Sequence, residues 1–327
     1  MSAFQVKYSD DSIYQFGWWE HVIFSSDKRL FRRSRRRVIV EIPPVSCKVY
    51  RALHESYMLH AEMKVLRQLF LFVLFLLAGC YTVPETGRST LNFMPESMLS
   101  EQAATAFAQM QQDAPVSTNP KHNERVTRVA TRVLNVAVLT GNLPPVNQWE
   151  FVVFDDDNTV NAFAMPGGKV GVYTGILKLT DTDDELAAII GHEIAHVSAR
   201  HGNERMSQSV LLITGGLALG YAVKDEKKGT QEAVMLAYGL GATLGAQLPF
   251  SRLHENEADE IGLLYMARAG YDPRDAVRFW KKMQSMNNQA VAEFLSTHPS
   301  HETRIERLTK LMPKAMAEYE KAKSLNH

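Results

Sequence analysis

Between Leu186 and Val197 the apolar residues Leu186, Ile189, Ile190, Ile194 and Val197 fall at three- and four-residue steps, the period of a largely buried helix. Thr182 and Glu185 stand in the capping-box relation just before it. Asp181, Asp183 and Asp184 place negative charge at its start, and Gly202 offers a stop. Shorter apolar runs at Trp149–Phe154, Thr159–Met165 and Lys169–Tyr173 read as strands, the last two joined by a Pro-Gly-Gly turn at 166–168. Residues 98–137 read as two helices around a polar break at Asp113–Asn123. Asp272-Pro273 opens another helix through Met283, and Thr303–Ser324 forms a last amphipathic one. Two Gly- and Ala-rich stretches, 209–223 and 233–248, each hold about 15 apolar or small residues, short of the roughly 20 a membrane span needs. Lys224–Lys228 separates them, so they are expected as closely packed helices of a soluble domain, flanking a cleft as a lid. Strands sit together and helices dominate, which makes the class α+β.

The chemistry enters at Gly191-His192-Glu193-Ile194-Ala195-His196, inside the first helix. Residues four apart project from one helix face, so His192 and His196 can grip one Zn²⁺, and Glu193 can reach an attacking water. Catalytic zinc takes three protein ligands, so a third is required. Glu255 and Asp259 are also four apart, in a segment running on as Ile261-Gly262-Leu263-Leu264. One of these carboxylates can complete the shell while the other accepts the free N–H of a ligand histidine.

Together the two segments resemble the Ste-twenty-four and heat-shock-protease-X group, metallopeptidase family forty-eight, a gluzincin branch. The resemblance rests on Gly-His-Glu-Ile-Ala-His followed by Glu255-Asn256-Glu257-Ala258-Asp259. It is extended by Asn161-Ala162-Phe163-Ala164-Met165-Pro166-Gly167-Gly168 and by Thr297-His298-Pro299 with Arg304, and it covers roughly residues 95–312. It implies a zincin-like core whose edge strand flanks the active-site helix. It also implies Glu255 as the third ligand of one zinc ion, Asp259 as the partner of a ligand histidine, and Asn161–Met165 as the substrate-binding edge. His298 and Arg304 become candidates for helping the developing oxyanion. Two readings stay open for His298, that helping role or occupation of the fourth zinc position in a closed resting state. His201, His254 and His301 have no partner at ligand spacing.

In the implied chemistry Glu193 takes the proton of the water attacking a peptide carbonyl and hands it to the leaving amine. An exposed sheet edge would hold an extended substrate by main-chain hydrogen bonds, a weakly selective mode suited to unfolded or misassembled chains. The expected function is therefore a zinc metalloendopeptidase for such proteins. The alternative is a chaperone or assembly factor that uses the same groove and rarely cuts. A closed structural zinc site would need four ligands and more cysteines than this chain has.

At the front, Met63-Lys64-Val65-Leu66-Arg67, the apolar run Leu69–Leu77 and Leu77-Ala78-Gly79-Cys80 have the layout of a signal peptide ending in a lipobox. Cys80 is expected to be acylated and to anchor the chain in outer-membrane lipid facing the periplasm. A transmembrane anchor with a chance cysteine is the competing reading. Residues 1–62 precede this signal, with seven basic residues in the ten from Lys28 to Arg37. They read as an upstream extension, translation starting at Met63, or as a basic tail. Residues 80–94 read as a tether and 95–327 as the peptidase domain. With 12 basic and 7 acidic groups before Cys80 and 24 and 29 from it onward, no nucleic-acid partner is expected for the domain.

Overall fold

A computed structural model describes Arg67 and residues 79–325, apart from residues 142, 145–147, 287–293, 295, 297 and 299–302. The expected extension, most of the expected signal peptide and His301 lie outside the described residues. In chain order the elements are β1 (Cys80–Thr82), β2 (Ser89–Leu91), α1 (Glu96–Asp113), α2 (Pro120–Leu139), β3 (Glu150–Phe154), β4 (Ala162–Met165) and β5 (Lys169–Tyr173). They continue with α3 (Thr174–Leu177), α4 (Asp183–Ser198), α5 (His201–Ala222), α6 (Lys228–Ala242), a π turn (Thr243–Gln247), α7 (Leu248–Arg268), α8 (Arg274–Ser285) and α9 (Arg304–Leu325). Helices dominate two small sheets, so the α+β class stands.

The helix carrying the two histidines starts where its cap residues put it. Thr182 Oγ1 accepts from the Glu185 N–H at 3.1 Å, and Glu185 reaches back to the Asp181 N–H at 2.7 Å. Every residue from Glu185 to Ser198 is buried. The end differs from expectation. Arg200, at φ 57°, turns the chain left-handed before Gly202 is reached, and Gly202 falls inside α5. The Arg200 guanidinium lies 4.1 Å from the Tyr81 ring centroid, a cation–π contact that offsets part of the cost of that backbone.

Helix α7 crosses α4 at near backbone contact. A Cβ on Gly191 would stand 2.8 Å from the Gly262 carbonyl oxygen, and a Cβ on Gly262 would stand 2.7 Å from the His192 nitrogen. No larger residue fits at either place. Glu255, Asp259 and Gly262 share one face of α7, so this crossing turns both carboxylates toward the histidines of α4.

The main sheet has the order β3-β5-β4, with β5 parallel to β3 and antiparallel to β4. Gly167 and Gly168, both at φ near 75°, close the β4–β5 turn in the backbone region only glycine enters freely. This leaves β4 as the edge strand beside α4.

Two expectations are corrected. Residues 80–94 are not a tether: β1 and β2 pair antiparallel, Val83 is buried, and Arg88 reaches into the domain. Loose polar composition concealed one long-range charge anchor. The Gly- and Ala-rich stretches are helices, as α5 and α6, but they pack on one another and not into the domain. Beyond the first two turns of α5 nothing in the pair is buried.

Candidate metal centre

Four side chains converge in the interior. Ligand atoms of His192, His196, Glu255 and His298 all lie within 4.8 Å of one another, and all four residues are buried. The two Nε2 atoms of His192 and His196 are 3.0 Å apart. Glu255 places Oε2 3.1 Å from the first and Oε1 3.4 Å from the second. His298 Nδ1 stands 3.3 Å from His192 Nε2 and 3.3 Å from Glu255 Oε2. Ligands bound tetrahedrally at about 2.0–2.1 Å lie roughly 3.3–3.5 Å from one another. The separations of 3.0–3.4 Å among these atoms lie close to that spacing, so the donor set fits one divalent ion.

Each histidine has its other ring nitrogen occupied. His192 gives Nδ1 to Asp259 Oδ1 at 3.0 Å, and Arg304 donates to the same oxygen at 2.6 Å. His196 gives Nδ1 to His201 Nδ1 at 2.9 Å, and His201 Nε2 meets Glu257 Oε2 at 3.0 Å. Arg88 closes that chain with Nε on Glu257 at 2.7 Å and a two-pronged grip on Glu204 at 2.9 and 2.8 Å. Once His192 has given up its extra proton, Nδ1–H donation down each chain leaves both Nε2 lone pairs facing the centre, the tautomers a metal requires.

Burial opposes charge on His192, but the Glu255 and Asp259 carboxylates overcome it and hold its pKa up at about 10. Burial drives His196 and His201 the other way, well below the usual imidazole range. Glu255 remains ionised well below its ordinary range despite burial, because both histidines attract its charge. Burial raises the Glu193 carboxyl, which makes it a better proton acceptor. Glu193 takes the Ala164 N–H, while its Oε1 is buried without a hydrogen bond, 3.6 Å from His298 Nε2.

The structure brings His192, Glu193, His196, Glu255, Asp259 and His298 together, as the motifs anticipate. Arg304 sits elsewhere than expected. Its guanidinium is 3.4 Å from the Trp280 ring centroid and bound to Asp259, behind His192, where it fixes a carboxylate and does not face a reacting carbonyl. Along β4, Ala164 and Met165 line a cleft beside His196, and the Ala162 carbonyl lies 3.3 Å from His298 Nε2. Phe163 turns away to stack among Phe107, Phe154 and Tyr173, and Asn161 accepts from the Tyr173 N–H through its backbone. The sequence reading missed His201, Glu257 and Arg88. Glu257 could have been found, since it lies between the two motif acids, whereas Arg88 has no local signature.

The sequence profile described as Peptidase family M48 matches residues 120–312. The chain belongs to peptidase family M48. The mostly helical, zincin-like fold is the one this family implies. Among M48 relatives, the mitochondrial metalloendopeptidase OMA1 of Arabidopsis thaliana is 40% identical over 156 residues, covering 48% of this chain and 30% of its own. The protein of the same name from Schizosaccharomyces pombe is 32% identical over 240 residues, covering 73% and 68%. The Escherichia coli beta-barrel assembly-enhancing protease is 26% identical over 229 residues, covering 68% and 46%. The chain thus spans under a third of the Arabidopsis relative. These M48 relatives overturn the expected outer-membrane, periplasm-facing location, because the plant and yeast proteins are mitochondrial by name. A lipobox-like tetrapeptide is too short to fix a compartment.

Proposed function

We propose that the chain is a zinc-dependent endopeptidase for unfolded or misassembled proteins, held at rest by His298. The convergence of His192, His196 and Glu255 beside the unpartnered oxygen of Glu193 carries this reading. Bound by those three residues, zinc supplies a Lewis acid and lowers the pKa of an attacking water toward about 7. Glu193 takes the water's proton and delivers it to the leaving amine. The β4 edge aligns an extended chain beside His196, and main-chain pairing makes side-chain selectivity weak. Casein digestion tests the activity: cleavage that survives a chelator at full rate defeats the proposal. Peptide binding without cleavage supports the chaperone reading instead.

His298 reaches from the metal centre to the β4 edge, so in this arrangement it occupies both the fourth ligand position and the substrate's first carbonyl partner. His298→Ala is expected to raise casein cleavage about tenfold, the factor for removing a competing contact worth about 1.4 kcal/mol. Lost cleavage would assign His298 to the oxyanion instead.

Metal-free His192 carries a proton at pH 8, since its pKa is held at about 10. Zinc loading at pH 8 is therefore expected to release about one proton, read by calorimetry in buffers of different ionisation enthalpy. Above pH 10 the release disappears. Acylation of Cys80 is a separate proposal with no location attached. The thiol is free and exposed at the start of β1, and intact mass of the purified protein checks it.

A further inference from the structure

We propose that the cleft beside His196 is a side-chain subsite that takes an acidic residue of the substrate. The inference rests on the reading above and adds one charge preference to an otherwise unselective groove. The cleft holds about 330 Å³, partly open to solvent, between the end of β4 with its turn, the end of α4 and the start of α5. His196 and Ala164 both line it. The first is one of the convergent ligand residues, and the second gives its N–H to Glu193. A chain laid along β4 therefore brings a side chain into this space close to the bond being cut.

The apolar lining comes from Met165, Pro166 and Val197, and the charged lining from Arg200, Arg205 and Glu96. The single carboxylate is already engaged. Asn203 Nδ2 donates to Glu96 at 2.8 Å, and Arg200 Nη1 stands 3.7 Å from the same oxygen. Arg200 Nε is buried with no hydrogen-bond partner, so that wall keeps an unspent donor. Arg205 is exposed and makes no ion pair among the described residues. Two guanidiniums against one occupied carboxylate leave a surplus positive charge. Apolar walls strengthen what that charge is worth to an entering carboxylate, relative to an open surface.

The backbone fixes the charge in place. Arg200 is the one non-glycine residue with positive φ among the described residues, at 57°, and the Tyr81 ring backs its guanidinium at 4.1 Å. Such a conformation persists only where its surroundings hold it, and it gathers at functional sites. Gly202 and Asn203 line the cleft from the first turn of α5, so the positive end of a 22-residue helix adds to the same sign. A Cβ on Gly202 would stand 3.0 Å from Pro166 Cγ, so a side chain there would crowd the gap between α5 and the β4–β5 turn.

The test uses the full zinc-loaded chain and phosphinic pseudopeptides, in which a phosphinate replaces one peptide bond and its binding to zinc fixes the register. Positions on either side of the phosphinate carry Glu, Gln or Lys in turn, and affinity is read by competition against a fluorescent member of the set. At one position Glu is expected to bind about tenfold more tightly than Gln, and Lys more weakly than Gln, with the difference shrinking in added salt. Arg205→Glu is expected to reverse that order, and exposure of Arg205 makes the exchange a test of charge and not of folding. Equal affinity of the three peptides at every position, or no binding by a chain that holds zinc, overturns the proposal. A Glu preference untouched by Arg205→Glu overturns it too. A gain from a free C-terminal carboxylate, with none from a Glu side chain, overturns the side-chain assignment. Affinity that survives a chelator and keeps the Glu preference retains the subsite and defeats the zinc reading. Affinity abolished by chelator, with no preference beforehand, does the reverse.

Discussion

Casein cleavage by the Glu193→Gln protein is expected to fall by about 10²–10⁴ while its zinc content is expected to stay at one per chain. The magnitude is that of losing a positioned proton acceptor. The zinc is kept because Glu193 is not among the four convergent ligand residues. Gln matches Glu in shape and can still accept the Ala164 N–H through its carbonyl oxygen, so the fold is expected to be unchanged. It cannot take a proton from water. A turnover within tenfold of the parent would show that another group is the base. A loss of zinc together with activity would show that Glu193 holds the metal and does not act on water.

Gly262→Ala is expected to lower Tm by several degrees and to weaken zinc binding at least tenfold. The new Cβ would sit 2.7 Å from the His192 backbone nitrogen, and rigid backbone on both sides cannot give way as a side-chain tip would. Overpacking of this kind costs about 1–3 kcal/mol. Here the cost also moves chemistry, because separating α7 from α4 carries Glu255 and Asp259 away from His192 and His196. Gly229→Ala is the comparison: nothing lies within 4 Å of its Cβ, so added helix propensity should leave stability equal or slightly higher. Thermal unfolding and chelator competition on both variants check the pair. Equal zinc affinity in all three proteins would remove the crossing as the device that assembles the site.

Much of the centre was legible because its parts are local. His192, Glu193 and His196 lie within one helical turn, Glu255 and Asp259 within another, and Thr182 announces the start of α4 by a cap interaction that spans three residues. Sequence also places β4 and β5, since a Pro-Gly-Gly turn fixes their pairing. What escaped depends on residues far apart in the chain. Arg88 meets Glu204 and Glu257 at separations of 116 and 169 residues, and no pattern near residue 88 predicts either partner. Gly191 and Gly262 look like ordinary helix glycines until the two backbones are seen to touch. The ending of α4 at Arg200 was hidden because a left-handed arginine depends on Tyr81, a residue from another element. The Gly- and Ala-rich pair was judged by run length and by the charges at 224–228 that separate the two runs. Which sides of those helices remain bare follows from tertiary packing that composition does not encode.

The grip of Arg88 also bears on where this protein can be divided. The family match begins at residue 120, yet the buried carboxylates of Glu204 and Glu257 share an ion pair with one guanidinium 32 positions earlier. A fragment trimmed to the family's own borders would therefore keep every residue of the motifs and lose the counter-charge that lets Glu204 and Glu257 stay inside. The compact unit, residues 74–327, is longer than its recognisable signature at 120–312.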